Sequence, residues 1–292
     1  MTLYLKGFLI TLAGVLIISP DSLLIRMVEA ETWAVAFWRG VLSGVATLLG
    51  YRMLRGRGVW DEMRDGGWPM VAITVVFALG SLCFVYSITH TQVANTLLIT
   101  STSPVFSALI AWLVLREAVG LRTWVTIALT LAGIGIIASD SLGAGGGDVL
   151  GDLAALGAAL SLAVSFSVAR ATREVSQVPA FGLAAVLSGF AAAGIAPGLA
   201  VPGENIVWLA LLGLVVVPLG FALLATGPRY IPAPDVSLLL LLEAVFGPLL
   251  VWWVLGEDPG ARVLLGGALV LGAMVMSNLW LLQETRRARA LP

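Results

Sequence analysis

The 292-residue chain is poor in charge, cysteine and histidine. Only 11% of its residues are Asp, Glu, Lys or Arg, against roughly 25% in a soluble domain. A water-soluble globule of this size could not cover its surface with so few charges, and 59% apolar content is too high for a disordered chain. The one cysteine, Cys83, excludes an internal disulfide and lies in an apolar run, where it reads as packing. With one histidine, no HExxH and no GxSxG, the chain lacks the signatures of metal and serine hydrolases, so no catalytic residue, metal site or cofactor is expected. The stretch Gly143–Gly147 lacks the Lys-Ser/Thr of a phosphate loop, so ATP-driven work would need a separate subunit. A net charge of −1 offers nucleic acid no basic field. What remains is an all-α integral membrane protein, whose partners would be lipid and a small molecule. No obligatory protein partner is evident.

The sparse charges outline the spans. None occurs from Gly66 to Leu115, a run too long for one helix. Polar residues at Ser87–Gln92 mark a turn that divides it into two. Charge-free runs at 123–139, 153–169, 175–203, 205–228 and 263–283 each fit one helix. Shorter or interrupted spans fit 4–19, 31–51 around Arg39 and 234–255 around Glu243, which makes ten. Lys6 ahead of an apolar run has the outline of a signal peptide, but no small-x-small site follows Pro20, so the run reads as the first span. Continuous apolar runs without period-two alternation exclude a strand barrel. With both termini cytoplasmic, thirteen of the sixteen basic residues fall on the inner face and only Arg26 and Arg262 on the outer. Trp33, Trp60, Trp68, Trp124, Trp208 and Trp280 near span ends read mostly as interface anchors.

A shift of 140 residues brings SPVFSALIAWLVLREAVGLR (103–122) onto EAVFGPLLVWWVLGEDPGAR (243–262). Apolar composition alone explains matched Leu and Val. It does not explain Trp112/Trp252, Glu117/Glu257, Gly120/Gly260 and Arg122/Arg262 in register. The expected organisation is two five-helix repeats, 1–140 and 141–292, joined near Gly143–Gly147. Five is odd, so the second repeat would enter the membrane inverted, as in secondary transporters whose site lies between repeats.

These residues resemble the drug/metabolite transporter superfamily, in particular its EamA-type ten-helix permeases. The resemblance is carried by Pro104-Val105-Phe106 running to Leu115-Arg116-Glu117, by its copy ending Leu255-Gly256-Glu257, by Trp38-Arg39-Gly40 and by Leu242–Pro248. It is similar to the bacterial aromatic amino acid exporters among them. The resemblance implies an inner-membrane secondary-active or facilitative transporter that exports small organic metabolites by alternating access, with aromatic amino acids as favoured substrates. The alternatives are a proton-coupled drug efflux permease and, from another class, a membrane scaffold without transport.

Candidate site residues follow from cost. Arg39 and Glu243 are the charges farthest from any span end, and facing lipid each would cost about 2.5–3.5 kcal/mol. They either line a pathway and couple to protons or brace helices, and sequence does not say whether they pair. Phe77, Ser81, Phe84, Tyr86, Thr96, Thr100 and Ser103 give spans three and four the densest polar and aromatic content. Thr96, Thr100 and Ser103 recur at i, i+4, i+7 on one helix face, as pathway lining or as packing glue. His90 titrates near neutral pH when unperturbed but sits near a span end, where a solvated loop residue is the plain reading. Pro104, Pro218 and Pro248 each remove a backbone donor and mark kinks or gating points, with Ser101, Thr102 and Ser103 placed to satisfy freed carbonyls. Gly40/Gly44 and Gly194/Gly198 predict close helix contacts, and Glu117 and Glu257 predict capping or loop pairing.

Overall fold

In the computed structural model the described residues are 3–56, 58–113, 121–141, 148–172, 175–226, 230 and 233–290, and no strand occurs among them. Helix follows helix: α1 (Leu3–Ile18), α2 (Asp21–Met27), α3 (Thr32–Arg55), α4 (Val59–Gly66), α5 (Trp68–His90), α6 (Val93–Thr100) and α7 (Ser103–Leu113). After them come α8 (Leu121–Ser141), α9 (Val149–Ala171), α10 (Val178–Ala193), α11 (Ile206–Leu211), α12 (Val217–Thr226), α13 (Ala233–Leu255) and α14 (Gly260–Ala290). Among the described residues seven helical stretches are long and apolar enough to cross a membrane, and three more, Trp124–Ile137, Val178–Ala193 and Leu239–Leu255, are apolar but shorter. Their outward faces carry large apolar side chains: Leu79, Phe190, Val207 and Leu265 are all more than half exposed. Water would not tolerate a surface so continuously apolar; lipid does.

The helices depart from the expected span boundaries where polar residues lie inside the bundle. The first span does not stop at residue 19. It breaks at Pro20 and resumes as α2, which places Asp21 inside the bundle at 3% exposure. The fourth is interrupted at Ser101–Thr102, so Thr96 and Thr100 lie on α6 and Ser103 opens α7. The three therefore do not share one continuous helix face. The run 175–203 is helical only through Ala193. Gly194 and Gly198 consequently lie past the end of α10 and mediate no helix crossing, against expectation.

Small residues do set the crossing of α3 with α10. A methyl on Gly40 would fall 2.5 Å from the Ala185 carbonyl oxygen, and one on Gly44 2.7 Å from that of Gly182. On α8 and α14, Gly133 and Gly266 approach each other in the same way. Other pairings are α5 with α9, α1 with α12, α6 with α13, α7 with α9, α1 with α13, α5 with α10 and α3 with α12. Exchange α1, α3, α5, α6–α7 and α8 for α9, α10, α12, α13 and α14, and each pairing maps onto itself or onto another in the set. Gly80 and Gly220, 140 residues apart, illustrate the exchange: the first meets Ser161 of α9 and the second Ile18 of α1.

The tryptophans divide. Trp60, Trp68 and Trp124 stand exposed near helix ends and Trp280 stands exposed just beyond the apolar span Gly260–Ser277, as interface anchors should. Trp33 and Trp208 instead pack onto the bundle core, which corrects the anchor reading for these two.

Backbone contact this close leaves no room for bulk. Gly44→Val should cost about 1–3 kcal/mol by overpacking and lower the unfolding temperature of detergent-solubilised protein. Gly50→Ala on the same helix meets nothing within 4 Å and should leave that temperature unchanged.

Candidate functional site

Helix breaks bring polar groups to the middle of the bundle. Where α6 gives way to α7, Pro104 cannot donate to the Thr100 carbonyl four residues earlier. Nearby hydroxyls satisfy the loosened backbone: Ser101 Oγ donates to Leu98 O at 2.7 Å and Thr102 Oγ1 to Ile99 O at 2.6 Å. Pro248 sits inside α13 and deprives the Ala244 carbonyl of a donor in the same way. Pro218 follows a π-helical turn, Leu212–Val216, that inserts an extra residue ahead of it, a common companion of helix bends.

A cavity lies between these breaks, with about 140 Å³ of space open to water centres. That holds roughly ten waters, the bulk of one small metabolite. It is walled by α1, α2, α3, α5, α6 and α7 on one side and by α9, α10, α12 and α13 on the other; among the described residues none of α8 or α14 lines it. Three charged residues line it, Asp21, Arg39 and Glu243. Arg39 Nε donates to Asp21 Oδ1 at 3.0 Å and Nη2 to Oδ2 at 2.6 Å, a two-pronged pair with both side chains nearly fully buried. Arg39 Nη1 donates to Ser81 Oγ at 3.3 Å, and its guanidinium lies 5.7 Å from the Phe84 ring centroid. Glu243 acts electrostatically on both members of the pair, but among the described residues it has no hydrogen-bond or ion-pair partner. The pairing left open between Arg39 and Glu243 is therefore with Asp21.

The rings cluster opposite. Phe77 meets Phe181 edge-on at 4.7 Å and Phe221 at 5.3 Å, which joins α5, α10 and α12 across the cavity.

Of the residues singled out from sequence, Phe77, Ser81, Phe84, Thr100, Ser103, Pro104, Arg39 and Glu243 line this cavity. Thr96, Tyr86, His90, Pro218 and Pro248 do not line it. Thr96 is fully buried and shares a 2.6 Å hydrogen bond with Ser87, so it fastens α6 to α5. Tyr86 stacks on exposed His90, with ring centroids 3.9 Å apart, at the end of α5. Asp21, Phe181 and Phe221 escaped sequence reasoning. Asp21 could have been found, since the apolar run resumes at Leu23–Ile25 beyond it and turns an apparent span end into a span interior.

At the bundle end that carries α2 and the α5–α6 and α13–α14 connections, a second polar group ties helices together. Arg26 Nη2 donates to Thr91 O at 2.7 Å and lies 3.4 Å from Glu257 Oε1, which also accepts from Val93 N at 2.9 Å. Thr91 Oγ1 donates to Asp152 Oδ1 at 2.9 Å, and Asn205 Nδ2 to Val28 O at 2.8 Å. The loop pairing expected of Glu257 is thus present. Glu117, Arg116 and Gly143–Gly147 lie outside the described residues.

Removing one member of a buried pair strands the other. Asp21→Asn or Arg39→Gln should each destabilise by about 3–5 kcal/mol. The double substitution should cost less than the sum of the two, as read in a double-mutant cycle of detergent unfolding.

The pattern that defines the EamA-like transporter family matches residues 5–139 and, a second time, residues 149–279. An uncharacterised transporter of Archaeoglobus fulgidus is 24% identical over 261 residues, 88% of this chain and 90% of its own length. A protein known by its crystal structure superposes with a TM-score of 0.65 and 20% identity, over 94% of this chain and 99% of its own, and so shares the fold. With the family pattern covering nearly the whole chain, the protein belongs to the EamA-like transporter family.

Proposed function

We propose that the protein is a ten-span transporter built from two inverted five-helix repeats, 1–140 and 141–292, that exports small organic metabolites by alternating access. The cytoplasmic membrane of a bacterium is the expected location, with both termini inside. Amino acids with aromatic side chains are the favoured substrates. The observation that carries the reading is the cavity between the two sets of helices, which combines Asp21, Arg39 and Glu243 with hydroxyls and the Phe77–Phe181–Phe221 cluster. The helix pairings that survive exchange of the two sets, and the family pattern matching once in each, support the duplication.

Alternating access needs one end closed while the other opens. In the proposed orientation the Arg26–Thr91–Glu257 group is at the outer end, and the cavity reaches toward the inner end through Thr47, Val178 and Ala222. The structure then corresponds to a cytoplasm-facing state clasped outside. Proton-coupled efflux is a second reading, favoured by Glu243, which has no hydrogen-bond or ion-pair partner among the described residues.

Purified protein in liposomes should exchange labelled phenylalanine or tryptophan across the bilayer. Absence of exchange for every amino acid would remove the substrate class. In a Cys83→Ala background carrying Leu97→Cys, Glu257→Gln should raise external labelling by an impermeant maleimide about tenfold, the worth of one charge-assisted hydrogen bond. An unchanged rate would remove the clasp from the mechanism. If Glu243 couples transport to protons, Glu243→Gln should abolish uphill movement driven by a proton gradient.

A further inference from the structure

The cavity is built on positions that recur at a spacing of 140 residues, and its two walls differ in chemistry. Ser81 is matched by Phe221, Thr100 by Leu240 and Ser101 by Leu241, and all six line the cavity. In each pair the earlier residue carries a hydroxyl and the later one is apolar. Asp21, matched by Ser161, continues the bias toward the first wall. The pair Ser103 and Glu243 reverses it and sets one acid in a wall that is otherwise apolar except for Ser161, within electrostatic reach of the Asp21–Arg39 pair.

The polar wall is rich in acceptors. Thr100 Oγ1 donates to Thr96 O at 2.8 Å and Ser101 Oγ to Leu98 O at 2.7 Å. With those hydrogens committed, both hydroxyls offer the cavity lone pairs only. Both Asp21 oxygens accept from Arg39, while Glu243 has no partner among the described residues. Two carboxylates face one guanidinium, so with all three ionised the lining carries one uncompensated negative charge. An enclosed charge of that kind is costly until a counter-charge with donors meets it. An ammonium group supplies both, with three N–H donors and no acceptor. Across the cavity, Phe221 and Leu240 leave an apolar face that suits a ring or hydrocarbon body.

We infer that the substrate is selected by a protonated amino group. The ammonium sits at Glu243 beside the Asp21–Arg39 pair, the apolar body lies against Phe221 and Leu240, and a substrate carboxylate adds nothing to recognition. This rests on the transporter reading for the identity of the cavity as the substrate site, and it moves the defining feature of the substrate from the amino acid group as a whole to the amine of an amphipathic molecule.

Binding to purified, detergent-solubilised wild-type protein tests it with four probes that share one ring: 2-phenylethylamine, phenylalanine, 3-phenylpropionate and neutral 2-phenylethanol. Phenylethylamine should bind at least as tightly as phenylalanine, and phenylpropionate at least about tenfold more weakly, the range of a lost charge-assisted hydrogen bond. Glu243→Gln should weaken phenylethylamine about tenfold and leave phenylethanol unchanged, whereas Phe221→Ala should weaken both. Failure of phenylethylamine to bind wild-type protein, or binding of phenylpropionate as tight as that of phenylethylamine, overturns the inference whatever the variants do. So does equal weakening of amine and alcohol by Glu243→Gln. Phenylalanine exchange in liposomes by a protein that does not bind phenylethylamine overturns the amine handle alone. Phenylethylamine binding without amino acid exchange supports the handle and removes the amino acid substrate.

Discussion

A charge buried among apolar helices must find its counterpart within the protein, and the Asp21–Arg39 pair meets that condition. The guanidinium reaches both carboxylate oxygens and still has a donor for Ser81. One compact contact therefore ties α2, α3 and α5 together. The break at Pro20, which has no backbone N–H to continue the helix, sets Asp21 at the start of α2, from where it reaches Arg39. Glu243 approaches this pair from the opposite wall, so its surroundings are governed by how the two sets of helices sit against each other.

Close backbone contact does the rest of the assembly. Lipid offers helices no hydrophobic reason to associate, so contact area has to come from small residues at the crossings. Gly40, Gly44, Gly133 and Gly266 supply it at two of the pairings. Because each pairing has a counterpart under exchange of the two sets, a change of packing on one side of the cavity has a matching change available on the other.

Much of this was legible in the sequence. The scarcity of charge outlined most helices, and the solitary Arg39 and Glu243 marked the interior, because an isolated charge in an apolar run has few places to go. The 104–117 and 243–257 segments pointed to the family whose pattern covers the chain. Legibility failed where local chemistry and tertiary context disagree. Asp21 next to Pro20 has the composition of a loop, and only the pairing with Arg39 keeps it inside. Thr96 satisfies the same periodicity as Thr100, yet α6 turns it toward Ser87 and away from the cavity. Phe181 and Phe221 look like any lipid-facing aromatic until three helices bring them to Phe77.

The position of α8 and α14 has a consequence of another kind. Both stand apart from the cavity and hold to each other through Gly133 and Gly266. The contact that joins the ends of the two sets thus uses none of the described side chains that line the cavity. Substitutions at lining positions outside the Asp21–Arg39 pair therefore leave the α8–α14 part of the frame as it is.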